Sequence, residues 1–269
     1  MVNAPQLRYL LQGERENPYI VFLHGFMGQA RDWRRVTAAL QERYCCVSID
    51  LPGHGDSTAL AEEAYTMPGA AAAVVRTLDQ LGIKEAALVG YSMGGRLALY
   101  LAVHYPERFP RVILESASPG LRTEAERRQR RAHDNALAGR LENSTLEDFL
   151  TEWYAQPMFA TLRQHANFLD IQALRLRNHT HELARSLRCM GTGSQPSLWD
   201  ELQHIKMPLF LLTGELDDKF RAIAADMAAR CPRARVHIIA GAGHNIHFEK
   251  TSEFISVLST CLTHAEEGK

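Results

Sequence analysis

The pentapeptide GYSMG at residues 90–94 constrains the fold of this chain more than any other feature of the sequence. It follows a short apolar run, residues 86–89, and it precedes a helical pattern that begins at Gly95. Its glycines permit a sharp turn without Cβ clashes, and such a turn holds the hydroxyl of Ser92 above the carboxyl end of a sheet. The pattern therefore predicts a nucleophile elbow. Because G-x-S-x-G is expected by chance in about one chain in ten of this size, other residues must support it.

Short apolar runs alternate with helical patterns along the chain, and this alternation predicts an α/β fold with a mostly parallel, doubly wound sheet. The runs are almost continuously apolar, as expected of strands that are buried on both faces. The predicted strands cover residues 19–23, 44–49, 86–91, 111–115, 208–213 and 235–240. The clearest helical patterns between them cover residues 31–42, 69–81 and 220–230.

The alternation stops between about residues 121 and 199, where no strand-like run occurs. This segment is much longer than the dozen or so residues of an ordinary crossover between parallel strands. We therefore predict a core formed by residues 1–117 and 200–269, with a helical cap, residues 118–199, inserted between its two halves. Ordinary crossover helices are the alternative interpretation.

The composition excludes several classes of function. Of 269 residues, 46% are hydrophobic and 23% are charged, as in ordinary globular proteins, and the net charge of −1 gives no basic excess for nucleic acid. No apolar run approaches 18 residues, and the first ten residues do not resemble a signal peptide, so we expect a cytoplasmic protein without a membrane partner. The five cysteines lack C-x-x-C spacing, which favours buried free thiols and no metal site.

Nucleophile-elbow enzymes place their other catalytic groups in the order acid, then histidine. Asp217 follows the predicted strand 208–213, and His244 lies in a glycine-rich turn after the next strand. A neutral imidazole takes the proton of the Ser92 hydroxyl, and a buried carboxylate holds that imidazole in the required tautomer. The alternatives are Asp218 or Glu215 for the acid and His247, His237 or His54 for the histidine.

The segment HGFMG at residues 24–28 follows the first predicted strand. A loop at this place can direct a backbone N–H group at a developing oxyanion. We predict an oxyanion hole formed by the amides of Phe26 and Met93. A glycine-rich turn without a chemical role is the alternative.

At this point the chain resembles the α/β-hydrolase superfamily. The matching stretches are HGF at 24–26, DLPGHG at 50–55, the elbow at 90–94 and GH at 243–244. The resemblance implies an α/β-hydrolase fold. It does not fix the reaction, because this fold supports many chemistries.

Further stretches resemble the 2-succinyl-6-hydroxy-2,4-cyclohexadiene-1-carboxylate synthases of menaquinone biosynthesis. They are GYSMGGR (90–96), SPGL (118–121), WYAQPMF (153–159), ALR (173–175), GELDDKFRA (214–222) and AGHN (242–245). The resemblance implies a carbon–oxygen lyase that eliminates pyruvate from 2-succinyl-5-enolpyruvyl-6-hydroxy-3-cyclohexene-1-carboxylate. It implies no metal and no organic cofactor.

Such a substrate carries three carboxylates, which the planar guanidinium group of arginine binds with paired hydrogen bonds. Arg96 lies one helical turn after Ser92, and helical side chains lean toward the N-terminus, so Arg96 can point back at the serine. The alternative role for Arg96 is a salt bridge on the helix surface. The expected partner is this small tricarboxylate, and we expect a monomer or a weak homo-oligomer.

The predicted cap contains many arginines, and such a run is usually a solvated face. The family pattern aligns one cap arginine with Arg130 and a second with Arg175. The alternatives to the first are Arg127, Arg128 and Arg131, and Arg177 lies close to the second. The remaining predicted substrate-binding residues are Tyr91, Trp153, Phe159 and Lys219, with Tyr154 as a further wall candidate. The aromatic residues are equally compatible with the apolar core of the cap, and Lys219 with a surface position.

In the reaction that the resemblance implies, Ser92 acts as a base that removes a ring proton, with Asp217 and His244 activating it. A serine carboxylester or C–C bond hydrolase on the same framework is the alternative, and a non-catalytic receptor is the third hypothesis.

Overall fold

Seven strands form one sheet in the computed structural model, which describes residues 7–263. The strands are β1 (Tyr9–Gln12), β2 (Tyr19–Leu23), β3 (Cys45–Ile49), β4 (Ala87–Tyr91), β5 (Arg111–Glu115), β6 (Leu209–Gly214) and β7 (Ala234–Ile239). Their order in the sheet is β1-β3-β2-β4-β5-β6-β7. All neighbouring pairs are parallel except β1 with β3. The α/β fold and the mostly parallel sheet predicted from the sequence are confirmed.

The described residues form eleven α-helices, of which nine lie between strands and two follow β7. The helices that precede β6 in the chain are α1 (Arg34–Leu40), α2 (Met67–Gln80), α3 (Met93–His104), α4 (Glu124–Asn143), α5 (Leu146–Tyr154), α6 (Ala160–Arg163), α7 (Phe168–Arg175) and α8 (Thr180–Met190). The helices after β6 are α9 (Asp218–Ala228), α10 (Ile246–Glu249) and α11 (Thr251–Thr263). None of those within 7–263 combines the length and the apolar character that a bilayer crossing requires.

Successive residues of the central strands pack into different layers, because side chains alternate between the two faces of a sheet. Leu88 of β4 belongs to an apolar cluster that includes Val74 of α2 and Leu97 of α3. Its neighbour Val89 belongs to the opposite cluster, with Phe254 of α11. The apolar runs of the sequence are continuous here because both faces are covered.

Helices α4 to α8 all lie between β5 and β6 in the chain, within the segment predicted as a cap. They share an apolar cluster of their own, which includes Leu141, Phe149, Leu150 and Leu183. No strand occurs between β5 and β6. The domain boundaries at 118 and 199 stay a prediction.

The two edges of the sheet differ from the sequence-based expectation. Strand β1 was not predicted, because its four residues are only half-buried and its apolar run is short. Strand β7 was predicted to be buried on both faces, and this is wrong: it is an edge strand, and Ile238 is 55% exposed. An edge strand carries an apolar side chain into solvent without losing its hydrogen bonds to β6.

Candidate active site

Ser92 lies between the end of β4 and the start of α3, in a strained backbone conformation with φ 49° and ψ −106°. A non-glycine residue with positive φ costs about 1–3 kcal/mol, which the surrounding structure must offset. The turn is tight enough to require glycine beside it. A Cβ atom on Gly94 would overlap the carbonyl oxygens of Leu23 and His24. The strand-to-helix turn predicted from GYSMG is therefore present.

The side chains of Ser92, His244 and Asp217 form one hydrogen-bonded chain. His244 Nδ1 lies 2.6 Å from Asp217 Oδ2, and His244 Nε2 lies 3.2 Å from Ser92 Oγ. With Nδ1–H donating to the carboxylate, the lone pair of Nε2 faces the hydroxyl. His244 is 1% exposed and Asp217 is 7% exposed. This geometry suits an imidazole that takes a proton from the serine.

The other candidates for acid and base have different partners. Asp218 is exposed and pairs with Arg221 at 3.1 Å, and a Glu215 carboxylate oxygen accepts the Gly241 N–H at 2.8 Å. Among the histidines, His247 bonds Glu115, and His54 Nδ1 donates to the Pro52 carbonyl at 3.0 Å. His237 lies inside β7.

Three local interactions hold Asp217 and His244 in place. Asp217 Oδ1 accepts the Phe220 N–H at 3.3 Å and so caps the first turn of α9, which also suits an anion at a helix N-terminus. The Phe220 ring lies 4.6 Å from the His244 ring, centroid to centroid. On the other side, Glu249 accepts the Gly243 N–H at 2.7 Å.

The predicted oxyanion residues Phe26 and Met93 both line the cavity beside Ser92. Met93 is the first residue of α3, and the first four N–H groups of a helix have no acceptor within it. The ring of His24 stabilises the loop that carries Phe26. Its Nδ1 donates to the Gly25 carbonyl, and its Nε2 accepts the Leu51 N–H at 2.9 Å. Burial lowers the pKa of His24 to about 3, so its ring stays neutral and keeps both bonds.

The cavity has a volume of about 400 Å³, and residues at the ends of the sheet strands and residues of the cap helices line it. Its lining includes every predicted substrate-binding residue: Tyr91, Arg96, Arg130, Trp153, Phe159, Arg175 and Lys219. The binding roles of these residues stay predictions. The cationic residues among them differ in whether a carboxylate of the protein already pairs with them.

Arg96 is 9% exposed and does not form the surface salt bridge considered as its alternative role. Its Nη1 donates to the Met190 carbonyl at 3.0 Å and to Gln195 Oε1 at 2.8 Å. Burial first, and the charge of Arg130 second, lower the pKa of Arg96 to about 10, which leaves it charged at neutral pH. The cavity wall thus holds a buried cation whose direct partners are neutral oxygens.

Of the four candidates Arg127, Arg128, Arg130 and Arg131, Arg130 is the one that lines the cavity, and it is the one that the family pattern favours. Its Nε donates to the buried Asp134 at 2.7 Å. Arg127 and Arg131 both pair with Glu124, at 3.0 and 2.5 Å, and Arg128 is exposed. Lys219 lies close enough to Arg130 that burial and this neighbouring charge lower the pKa of its ammonium group.

Arg175 is buried and is already paired with a carboxylate that sequence reasoning missed. Its Nη1 and Nη2 donate to Asp32 Oδ1 and Oδ2, both at 2.8 Å, and its Nε donates to the Tyr154 hydroxyl at 3.3 Å. Burial disfavours its charge, but the Asp32 carboxylate and the Tyr154 hydroxyl together outweigh burial and raise the pKa of Arg175. No sequence motif marks Asp32, so no signal connected it with the cap.

The aromatic residues form a continuous wall rather than a core remote from the site. The Trp153 ring lies 5.2 Å from that of Phe26 and 6.0 Å from that of Phe159, and Phe159 lies 6.0 Å from His244. Sequence reasoning also did not single out Arg122, which lines the cavity and stacks on Trp199 at 3.6 Å. The cavity wall thus combines aromatic side chains with cationic ones.

Residues 18–251 match the profile of the family described as the α/β hydrolase fold. A 2-succinyl-6-hydroxy-2,4-cyclohexadiene-1-carboxylate synthase of Serratia proteamaculans is 37% identical over 256 residues, which cover 95% of this chain and 97% of that protein. A synthase of the same name from Citrobacter koseri is 36% identical and covers 93% of this chain and 96% of its own length.

Solved structures show the same similarity in three dimensions. MenH from S. aureus superposes with a TM-score of 0.90 at 35% identity, covering 94% of this chain and 97% of that one. The enol-lactonase from Burkholderia xenovorans has a TM-score of 0.81 at 23% identity and covers 96% of each chain. At that lower identity the likeness concerns the fold alone.

Proposed function

Because the chain belongs to the α/β-hydrolase family, and within it to the 2-succinyl-6-hydroxy-2,4-cyclohexadiene-1-carboxylate synthases, we propose that it eliminates pyruvate from an enolpyruvyl substrate. The substrate is then 2-succinyl-5-enolpyruvyl-6-hydroxy-3-cyclohexene-1-carboxylate, and the step is a carbon–oxygen lyase step of menaquinone biosynthesis. One observation supports this reaction above all: a Ser92–His244–Asp217 chain opens on a cavity that also holds buried arginine.

Ser92 acts as the base in this proposal. His244 takes the hydroxyl proton through Nε2, and the serine oxygen then removes the ring proton next to the succinyl ketone. The electron pair moves onto the ketone oxygen and forms an extended enolate. When the ketone forms again, the pair shifts along the ring and breaks the bond between the ring carbon and the enolpyruvyl oxygen. The leaving enolate takes the proton from the His244 imidazolium and becomes pyruvate. Asp217 stabilises the imidazolium that forms in between.

The amides of Phe26 and Met93 hold the negative charge of the enolate oxygen. Both residues line the cavity beside Ser92, and the Met93 amide opens helix α3, where the helix dipole also favours an anion. Loss of one such donor typically costs about 3 kcal/mol in barrier height. The backbone amides are fixed by the turn, so they need no rearrangement during the reaction.

The cationic side chains of the cavity bind and orient the carboxylates. Arg96 and Arg130 are the principal candidates. Lys219 lies near Asp217, and Arg175 is already paired with Asp32. Tyr91, Trp153 and Phe159 supply the apolar wall against which the ring packs. Fixed carboxylates bring the ring proton to the serine oxygen, and such positioning accounts for a large share of catalysis.

The test is release of pyruvate from the enolpyruvyl substrate, followed with a coupled lactate dehydrogenase assay. Ser92→Ala is expected to reduce kcat at least about 100-fold, because the base is gone. Arg130→Ala is expected to raise KM about 10-fold or more, since a charge-assisted hydrogen bond is worth about 1.5–3 kcal/mol.

Arg128→Ala is the matched control for Arg130, because it lies two residues away on α4 and is exposed. It should change neither constant. Pyruvate release by Ser92→Ala at the wild-type rate would contradict the proposal. Faster turnover of neutral nitrophenyl esters than of the tricarboxylate would favour a carboxylester hydrolase instead.

A further inference from the structure

A second buried pair of imidazole and carboxyl groups lies next to the Ser92–His244–Asp217 chain. His247 Nδ1 donates to Glu115 Oε2 at 2.8 Å, and the His247 backbone N–H donates to Glu115 Oε1 at 3.1 Å. Both side chains are at most 1% exposed. The proposed reaction uses neither of them, so their burial calls for another explanation.

Glu115 forms hydrogen bonds both to the elbow that carries Ser92 and to the helix that follows His244. It is the last residue of β5, and its backbone carbonyl accepts the Ser92 N–H at 2.9 Å. Its side chain binds His247, which lies three residues after His244 and within α10. A single residue thus connects the main chain of the elbow with the helix that follows the catalytic histidine.

The His247 ring is fixed by its packing as well as by its hydrogen bonds. It stacks on Trp33 at 4.3 Å and meets the edge of Tyr91 at 4.9 Å, and Tyr91 lies 5.4 Å from His244. Burial first, and the carboxylate of Glu115 second, raise the pKa of Tyr91, in keeping with this close approach. The ring cannot shift without displacing an aromatic neighbour.

The loop that carries His244 is shaped by bonds of its own. Glu249 accepts the N–H groups of Gly243 at 2.7 Å and Asn245 at 3.1 Å, so residues 243–249 hold one another. These bonds are local and do not set the position of the loop relative to the sheet. The bonds between Glu115 and His247 tie this segment to strand β5, and on the β6 side the Leu216 N–H donates to the Ala242 carbonyl at 2.9 Å.

We propose that Glu115 and His247 are positioning residues that set the separation between Ser92 Oγ and His244 Nε2. The proposal rests on the proposed function, since it assigns a supporting pair to the same site. It concerns the reactivity of Ser92, which can be measured without the tricarboxylate. A misplacement of about 1 Å between reacting groups can cost about 100-fold in rate.

The experiment compares Glu115→Ala, His247→Phe and Glu115→Gln by two readouts. The first is kcat and KM for pyruvate release. The second is the rate constant with which a fluorophosphonate ester labels Ser92, with Ser92→Ala as the blank. Glu115→Ala and His247→Phe are expected to lower kcat and the labelling constant about 10–100-fold, with KM changed less than about twofold.

Glu115→Gln is expected to recover most of both rates. His247 Nδ1 and the His247 N–H lie 3.0 and 3.1 Å from the same oxygen, Oε1, and one amide oxygen can accept both bonds. A merely structural role would lower the melting temperature and leave the rates per folded molecule unchanged. All variants are therefore assayed well below their melting temperatures, and Glu142→Gln, at an exposed cap pair with Arg188, is the control.

Wild-type labelling and kcat in folded Glu115→Ala or folded His247→Phe would overturn the proposal. If Glu115→Ala does not fold, His247→Phe decides, because it keeps the carboxylate and an aromatic ring. If the wild type labels rapidly but releases no pyruvate, the proposed function fails while the labelling constants still test the positioning pair.

Discussion

Two arginine side chains of the cavity wall, Arg96 and Arg175, are buried together with the groups that accept their hydrogen bonds. Arg175 bonds Asp32 across 143 residues of sequence, and Arg96 bonds Gln195 across 99. The family motifs identified the arginines, because each sits in a recognisable stretch. They did not identify Asp32 or Gln195, since a partner chosen by tertiary packing leaves no local pattern. The same holds for Glu115 and His247.

The Asp32–Arg175 pair should be costly to break and much less costly to replace. Asp32→Leu leaves a buried guanidinium group without its carboxylate, which typically costs about 3–5 kcal/mol in unfolding free energy. Adding Arg175→Met should recover more than half of that loss, because no buried charge is left unpaired. Urea denaturation of the two variants measures both effects.

The comparison needs an exposed ion pair as its control. Glu152 pairs with Arg140 where both side chains are more than half exposed, so Glu152→Ala should cost less than about 1 kcal/mol. If Asp32→Leu is as stable as the wild type, the pair is not the strong buried contact described above.

The buried ring of His24 should make the protein less stable in mild acid. Its pKa is lowered to about 3 by burial, whereas in the unfolded chain it titrates near 6.5, so the unfolded state binds the proton first as the pH falls. This contribution to stability is fully present above pH 6.5 and falls by up to about 1.4 kcal/mol per pH unit below it. The pKa of buried His54 is lowered in the same direction.

Urea denaturation between pH 7.5 and 5 tests the effect, because ordinary carboxylates titrate mostly below that window. His24→Gln is expected to lose stability at pH 7.5 and to show a smaller decrease toward pH 5. Gln80→Ala, an exposed substitution without a titratable group, is the control for the slope. An equal slope in His24→Gln and in the wild type would refute the assignment.

At the scale of elements, the strand-to-helix turn at Ser92 shows which glycines are required and which are not. Gly94 packs against the end of β2, so Gly94→Ala forces a Cβ atom into backbone carbonyls that cannot move easily. We expect a loss of several kcal/mol in unfolding free energy and, in any folded fraction, a displaced Ser92.

Gly139 is the matched control, because it lies within helix α4 and a Cβ there meets no atom within 4 Å. Gly139→Ala should stabilise the protein by about 0.5–1 kcal/mol through helix propensity alone. Thermal unfolding of the two variants gives opposite signs. A melting temperature of Gly94→Ala equal to that of the wild type would show that the turn is looser than described.

Strands β2 to β7 were predictable to within a residue at each end, whereas the edge strand β1 was not. Strands β2 and β5 have the predicted bounds, because burial on both faces makes the whole run apolar. Strand β1 is half-buried, so its pattern is too weak to separate from a loop. The helix predicted at 31–42 is shorter, since its first turn, Ala30–Trp33, is a 3-10 helix.

For the whole molecule, local stability should follow the position of each element in the sheet. Amide hydrogen exchange is expected to be slowest in β2, β4 and β5, whose residues are buried with strands on both sides. It is expected to be much faster in α7, where Leu169 is 75% exposed. Mass spectrometry of exchanged peptides measures this order. Equal protection of α7 and β4 would contradict it.

Ser92 and its histidine are 152 residues apart in the chain. A ribosome makes the elbow first and adds the imidazole only after the whole helical segment between β5 and β6 has been translated. Until then the hydroxyl is an ordinary alcohol, as unreactive as any other serine in the cell. The linear order of the gene therefore delays chemical competence until folding has brought the distant segments together.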